Sequence, residues 1–280
     1  MPRIHFTIGH MARIVWVIGW SDFFLKYRGS VLGYFWSFLA PLLRFLVILY
    51  IFQPLLGPNI PQYPLFLFLG LIVWEYFTNT TNGCMWMVLD KASIVSQISF
   101  PRMLLILAVG WTNTIIFLTH FLIFCLFGWF YGLTFSISFL FLVLLIIQML
   151  LFSLGVGMVL SSYSLKFQDI RHLWEVTLQI LFWMTPITYS TLTGVPVTQL
   201  SIRSLLIEGF QSHKVLLDAF IQFQPIALLI FDARRVFLYN TTQGMPNLPH
   251  ILVVTVICGV SFLIGYAIFR RRSLYFLDEY

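Results

Sequence analysis

Residues 136–162 read SISFLFLVLLIIQMLLFSLGVGMVLSS, a run without Asp, Glu, Lys or Arg. It exceeds the roughly 18 apolar residues that a helix needs to cross a bilayer. A soluble helix would alternate apolar and polar faces at its 3.6-residue period, and this run has no polar face to offer water. Working outward, comparable windows recur at about 32–56, 64–88, 103–127, 172–191 and 250–270, which predicts six membrane-spanning helices. Composition agrees: 60% of residues are hydrophobic, 9% are charged, and the mean hydropathy is +0.92. Soluble domains are typically about a quarter charged, so lipid is the expected solvent. The predicted fold class is an all-α membrane protein forming a single transmembrane domain over 1–280, with no internal repeat or separate soluble domain.

The basic residues settle orientation rather than suggesting nucleic acid. The formal charge is +6, but Lys and Arg are scattered at the edges of apolar runs. Arg3, Arg13, Lys26 and Arg28 precede the first predicted span. Lys91 and Arg102 lie between the second and third, Lys166 and Arg171 between the fourth and fifth, and Arg270, Arg271 and Arg272 follow the sixth. The opposing short loops, around Gln53–Tyr63 and Gly128–Ser136, hold no Lys or Arg. The positive-inside rule therefore predicts both termini on the cytoplasmic side, with an anionic-lipid contribution.

Two segments depart from simple spans. Residues 12–28 place Trp16, Trp20, Phe23 and Tyr27 on one helical face, with Asp22, Lys26 and Arg28 pointing elsewhere, as in a helix lying in the interface. That face reads first as a plain aromatic-belt anchor, with a gate or docking element as the alternative. The N-terminus does not read as a cleaved signal, because Gly19 and Asp22 interrupt its apolar stretch. Residues 192–249 are expected on the outer side. There, 203–223 and 226–239 are apolar but too short or too charged to cross, and they predict re-entrant or interfacial helices capping a pathway.

Several function classes are excluded or weakened. A P-loop needs Lys after Gly, and none of Lys26, Lys91, Lys166 or Lys214 follows a glycine, so any ATP-driven motor is expected on another chain. Cys84, Cys125 and Cys258 fall inside predicted spans without CxxC spacing, and the six histidines form no ligand pair, so neither a disulfide, a metal site nor a cofactor is expected in this chain. An intramembrane transferase would have to rely on Asp169, His172 and Glu175, the one compact polar cluster. No ring-forming carboxylate or carbonyl filter points to a channel.

The residues themselves resemble a known family. The segment Lys26–Leu43, KYRGSVLGYFWSFLAPLL, is similar to the start of the first span in type-2 ABC exporter permeases for polysaccharides. Phe167–His172, Phe182–Ile187, Gln224–Ile226 and Arg234–Arg235 follow in the family's order. Ala40 departs from the usual Asn before Pro, and Arg44 within the span is also unusual. The resemblance implies a homodimeric permease in the bacterial inner membrane working with two copies of a separate P-loop ATPase, which would hold the ATP and Mg. The implied substrate is a polyprenyl-diphosphate-linked glycan of the O-antigen, capsule or teichoic acid type, as in lipopolysaccharide biosynthesis. An exporter of drugs or small lipids on the same scaffold is the alternative.

That reading assigns residues. Lys91, Arg102, Lys166, Asp169 and Arg171 would seat on the ATPase, although positive-inside anchoring explains the basic ones as well. Lys26 and Arg28, with Trp16 and Trp20, are candidates for the lipid headgroup or gate. Sugars present CH faces that stack on rings, so Phe35, Phe38, Phe45 and Phe52 on the first span and Trp174, Phe182 and Tyr189 on the fifth are candidate path aromatics. Such stripes are also ordinary core or lipid-facing surface. Arg44 and Glu75 sit near mid-membrane, where an unpaired charge costs at least about 2.5 kcal/mol, and counting from the span ends brings them level as an expected ion pair. Ser153, Gly157 and Ser161 have small-xxx-small spacing for close helix approach, and Pro41 and Pro186 are expected to kink or thin their helices.

Overall fold

The computed structural model describes residues 8–25, 29, 33–90, 101–133, 137–164, 166–167, 169–189, 224–239 and 248–272. These form eight α-helices: α1 Ile8–Leu25, α2 Trp36–Leu56, α3 Tyr63–Asp90, α4 Met103–Phe130, α5 Phe141–Ser164, α6 Asp169–Met184, α7 Pro225–Phe237 and α8 Leu248–Arg272. Short 3-10 turns lead into α2 and α5 and link α2 to α3. No strand occurs among the described residues.

Four helices, α2, α4, α5 and α8, are long and apolar enough to cross a membrane. This is a multi-pass membrane protein. The other two predicted spans differ from expectation for separate reasons. Helix α3 has 28 residues, or about 42 Å at 1.5 Å per residue, so length is not its limit. Its middle instead carries Glu75, and its second half the run Thr78-Asn79-Thr80-Thr81-Asn82. Helix α6 has 16 residues and reaches only about 24 Å, against the predicted 172–191. It stops at Met184 because Pro186 has no N–H to donate and disfavours helical backbone at the residue before it, and residues 185–189 continue as bends. Helix α2, by contrast, runs through both Pro41 and Pro54.

Helix α3 is the axis of the molecule. Its residues from Leu65 to Trp74 are all buried, which explains why a helix with a hydrophobic surface on every side needs no amphipathic stripe. Helices α4 and α5 pack along it, α8 packs on α5, α1 on α4, and α7 against α3, α5 and α8. The closest helix approach is between α5 and α8. A Cβ on Gly155 would lie 2.6 Å from the Ser261 backbone, and one on Gly265 would overlap Gly155. Gln148 Nε2 donates to Thr255 Oγ1 across the same seam at 2.9 Å. Gly157, from the predicted small-residue run, faces Cys84 of α3 instead. Two small residues about 200° apart on α5 thus serve neighbours on opposite faces of the helix.

The segment predicted as interfacial, 12–28, lies in α1, Ile8–Leu25, as far as it is described; 26–28 lie outside the described residues. It is docked on α4 by Thr112 Oγ1, which donates to the Gly19 carbonyl at 2.9 Å, and by Trp16, whose ring lies 5.0 Å from Trp111. Of the outer region 192–249, the 203–223 segment lies outside the described residues, and 226–239 corresponds closely to α7.

Candidate functional site

The predicted path aromatics divide into two groups. Phe45 is buried between Phe68 and Phe127, at ring distances of 5.0 and 6.4 Å. It packs helices together and lines no open surface, contrary to expectation. Phe35 is exposed and Phe38 half-buried at the start of α2. Phe52 meets Trp183 of α6 at 6.2 Å, and Trp183 in turn meets Phe182 edge-on at 5.2 Å. Phe182 also rests on Trp74 of α3, at 5.8 Å. Trp174 lies against Phe77 and donates its indole N–H to Thr81 Oγ1 at 3.2 Å. The aromatics of α2 and α6 therefore join in a half-open band across the front of α3.

Arg44 and Glu75 do not form the expected pair. Arg44 is exposed on α2 and Glu75 half-buried on α3, and no ion pair joins them. The register explains the miss: Phe45 is level with Phe68, and Glu75 lies seven residues, about 10 Å, further along α3. Counting from predicted span ends could not supply that offset.

At the α6 end of the band, the broken segment after Met184 is held by one arginine. Arg234 is 5% exposed. Its Nη1 donates to the Pro186 carbonyl at 2.6 Å and its Nη2 to the Ile187 carbonyl at 2.7 Å. Nε and Nη2 also reach the Phe66 carbonyl at 3.2 and 3.1 Å. The carbonyls freed by the proline break are thereby satisfied by the rigid guanidinium fork. Space is tight: a Cβ on Gly70 would come within 2.6 Å of Nη2. Around this clamp, Gln224 and Thr185 exchange hydrogen bonds at 2.8–3.1 Å, and the Tyr63 hydroxyl donates to the Thr188 carbonyl at 2.9 Å. Tyr189 folds back to donate to the Met184 carbonyl at 2.9 Å, which ties it into this cluster.

Two residues before Arg234 and on the opposite side of α7, Asp232 is fully buried, with Oδ1 2.9 Å from Nε2 of His250 on α8, an ion pair when the imidazole is protonated. Neither this pair nor the role of Arg234 was anticipated. A usable signal existed in each case: a lone acid that shares its helical face with the apolar Leu228, Leu229 and Val236, all buried, requires a buried partner. Likewise a proline inside an apolar helix leaves carbonyls that need a donor.

At the opposite end of α6, Lys166, Phe167 and Asp169 are exposed at the turn from α5. Arg171 is not free to protrude, since its guanidinium stacks on Trp86 at 4.8 Å. His172 and Glu175 approach to 3.9 Å on the exposed side of α6, and no group of three or more metal-ligating side chains occurs among the described residues. Arg102 is half-buried ahead of α4, and that burial lowers its pKa from the ordinary arginine value. Trp16 and Trp20 are exposed and stacked, 5.8 Å apart. Lys26, Arg28 and Lys91 lie outside the described residues.

The described residues form a set of membrane helices with an aromatic front and a clamped break. No family model matches the chain. Among curated proteins, it is 32% identical over 184 residues to the O-antigen export system permease protein RfbA of Myxococcus xanthus, covering 65% of this chain and 69% of that one. The chain belongs to the polysaccharide-exporting ABC permease family. The permease also aligns end to end with RfbA of Klebsiella pneumoniae, at 24% identity over 277 residues, 99% of this chain and 98% of the relative. A third relative is the polysialic acid transport protein KpsM of Escherichia coli, 25% identical over 237 residues, 79% of this chain and 88% of KpsM. These relatives agree with the resemblance to type-2 ABC exporter permeases carried by Lys26–Leu43 and the segments that follow it.

Proposed function

We propose that this permease is the membrane-spanning subunit of an ATP-driven exporter that moves a polyprenyl-diphosphate-linked, O-antigen-like polysaccharide across the bacterial inner membrane. The observation that carries the reading is the alignment with an O-antigen export permease over 99% of the chain, which leaves no substantial part of the relative's length unaccounted for. In this reading α3 and α6 complete six crossings with α2, α4, α5 and α8, and α7 is a re-entrant helix on the outer side. Both termini are cytoplasmic, as the Lys and Arg distribution favours.

The motor is a separate P-loop ATPase, present in two copies on a permease homodimer and carrying the ATP and Mg. The chain's lack of any Gly-Lys sequence supports a motor supplied in trans. Lys166, Phe167 and Asp169, exposed at the α5–α6 turn, form the described part of the surface that seats on it. Lys91 and Arg102 flank the second part, and Lys26 and Arg28 receive the lipid diphosphate.

Deletion of the gene in its own host tests the reading. The expected result is loss of one surface polysaccharide with accumulation of its lipid-linked form inside, restored by the full-length gene. Purification of the tagged chain should bring down a P-loop ATPase, and Asp169→Lys should weaken that association. An unchanged polysaccharide profile after deletion would remove the proposal.

A further inference from the structure

Helix α3 is sheathed almost completely, and the exception lies on one side. Between Leu65 and Met87 the residues that are not buried are Glu75, Thr78, Asn79, Asn82, Gly83 and Trp86. At about 100° per residue, Glu75, Thr78, Asn79, Asn82 and Trp86 fall in a single sector about 100° wide. The flanks of that sector are closed. Tyr76 meets Thr114 of α4 at 3.3 Å on one side, and Phe77 and Thr81 meet Trp174 of α6 on the other. Cys84 and Phe77 face α5 behind. Towards Tyr63, the same sector is sealed at Phe68 by Phe45 and Phe127. The open strip therefore occupies only the half of α3 that ends at Asp90, the cytoplasmic half in the proposed topology.

What lies on the strip is polar. Four consecutive positions along it carry a carboxylate, a hydroxyl and two carboxamides, and Trp86, 47% exposed, closes the lower end with Arg171 stacked on it. The Thr78 hydroxyl is spent locally on the Glu75 carbonyl at 3.1 Å. The Glu75 carboxylate and the Asn79 and Asn82 carboxamides have no hydrogen-bond or ion-pair partner among the described residues. Polar groups facing lipid without partners are costly, so a membrane helix that concentrates three of them on its one open face must present that face to water or to a polar occupant.

We infer that this strip of α3 is a hydroxyl-reading surface at the entrance of the translocation path, taking the uncharged, polyhydroxylated part of the exported chain. The inference rests on the export function proposed above and adds the site. A carboxamide both donates and accepts, so it suits sugar hydroxyls of any orientation, and a carboxylate accepts from hydroxyls while repelling the anionic diphosphate. The Trp86 ring offers a face for sugar CH groups. Hydrogen bonds of this kind exchange readily as a polymer slides, which a tightly binding cationic site would resist.

Two measurements on the full exporter in its host test this. First, single cysteines at Asn82 and Asn79 are introduced in a Cys125→Ser background, where Cys84 and Cys258 are buried. In inverted membrane vesicles a membrane-impermeant methanethiosulfonate should label them at least about tenfold faster than a cysteine at Leu122, because a reactive thiolate forms only in contact with water; Leu122 is 63% exposed on the apolar face of α4. Second, the Asn79→Leu/Asn82→Leu pair should lower surface polysaccharide about tenfold, the loss expected for two hydrogen bonds, while the ATPase still co-purifies. Asn79→Gln/Asn82→Gln should retain most of the export. Labelling no faster than at Leu122, or wild-type export by the leucine pair, overturns the strip. Fast labelling in a strain whose surface polysaccharide survives deletion of the whole chain overturns the glycan as its occupant and, separately, the export reading.

Discussion

Replacing Arg234 by alanine should destabilise the protein through two specific carbonyls. The guanidinium donates to Pro186 O and Ile187 O at 2.6 and 2.7 Å in a site only 5% exposed. Those oxygens belong to the bends after α6, and no helical N–H is available to replace the lost donor. Each stranded buried acceptor costs about 1–3 kcal/mol, and relief of the guanidinium's own desolvation offsets part of the sum, leaving a net loss of ~3 kcal/mol. For a domain of this size that corresponds to about 6–12 °C in apparent Tm. The assay is the temperature at which detergent-extracted full-length protein loses its monodisperse size-exclusion peak. Arg234→Lys keeps the charge but not the planar fork and should recover less than half of the loss. Arg271→Ala removes the same charge at an exposed position and should shift the transition by no more than about 1 °C. If Arg234→Ala melts with the wild type, the clamp holds nothing that the surrounding packing does not already hold.

Three further outcomes follow from the packing. Gly155→Leu must push Ser261 of α8 away, since even a Cβ there lies 2.6 Å from that backbone; membrane yield should collapse, whereas Gly259→Leu, with nothing within 4 Å of its Cβ, should be neutral. His250→Ala should cost about 3 kcal/mol in thermal stability, because it strands the fully buried Asp232 carboxylate; Asp232→Ala should cost less, because the His250 it leaves is only half-buried, and the double variant should lose clearly less than the sum. Thr112→Val removes the bond to Gly19 O and should cost about 1 kcal/mol, visible as faster trypsin cleavage at Arg13 with the remaining helices unaffected.

The sequence by itself determined the solvent, the helices and the family. Runs such as 136–162 admit no aqueous surface, and the segments quoted from Lys26 to Arg235 stand in an order that an export permease shares. These are properties of composition and of short stretches, which survive without any knowledge of neighbours. What it misjudged depended on register between helices. Arg44 and Glu75 looked level when counted from span ends, yet Phe45 docks at Phe68 and leaves Glu75 about 10 Å away. Phe45 itself shares a stripe with Phe38 and Phe52 but faces the core, because only that part of α2 meets both α3 and α4. Arg234 reaches back 168 positions to Phe66 and 48 to Pro186, separations over which no periodicity carries information. The polar run in α3 was visible as letters, but only packing against α4, α5 and α6 decided that Glu75, Thr78, Asn79, Asn82 and Trp86 stay open while most of their neighbours are buried.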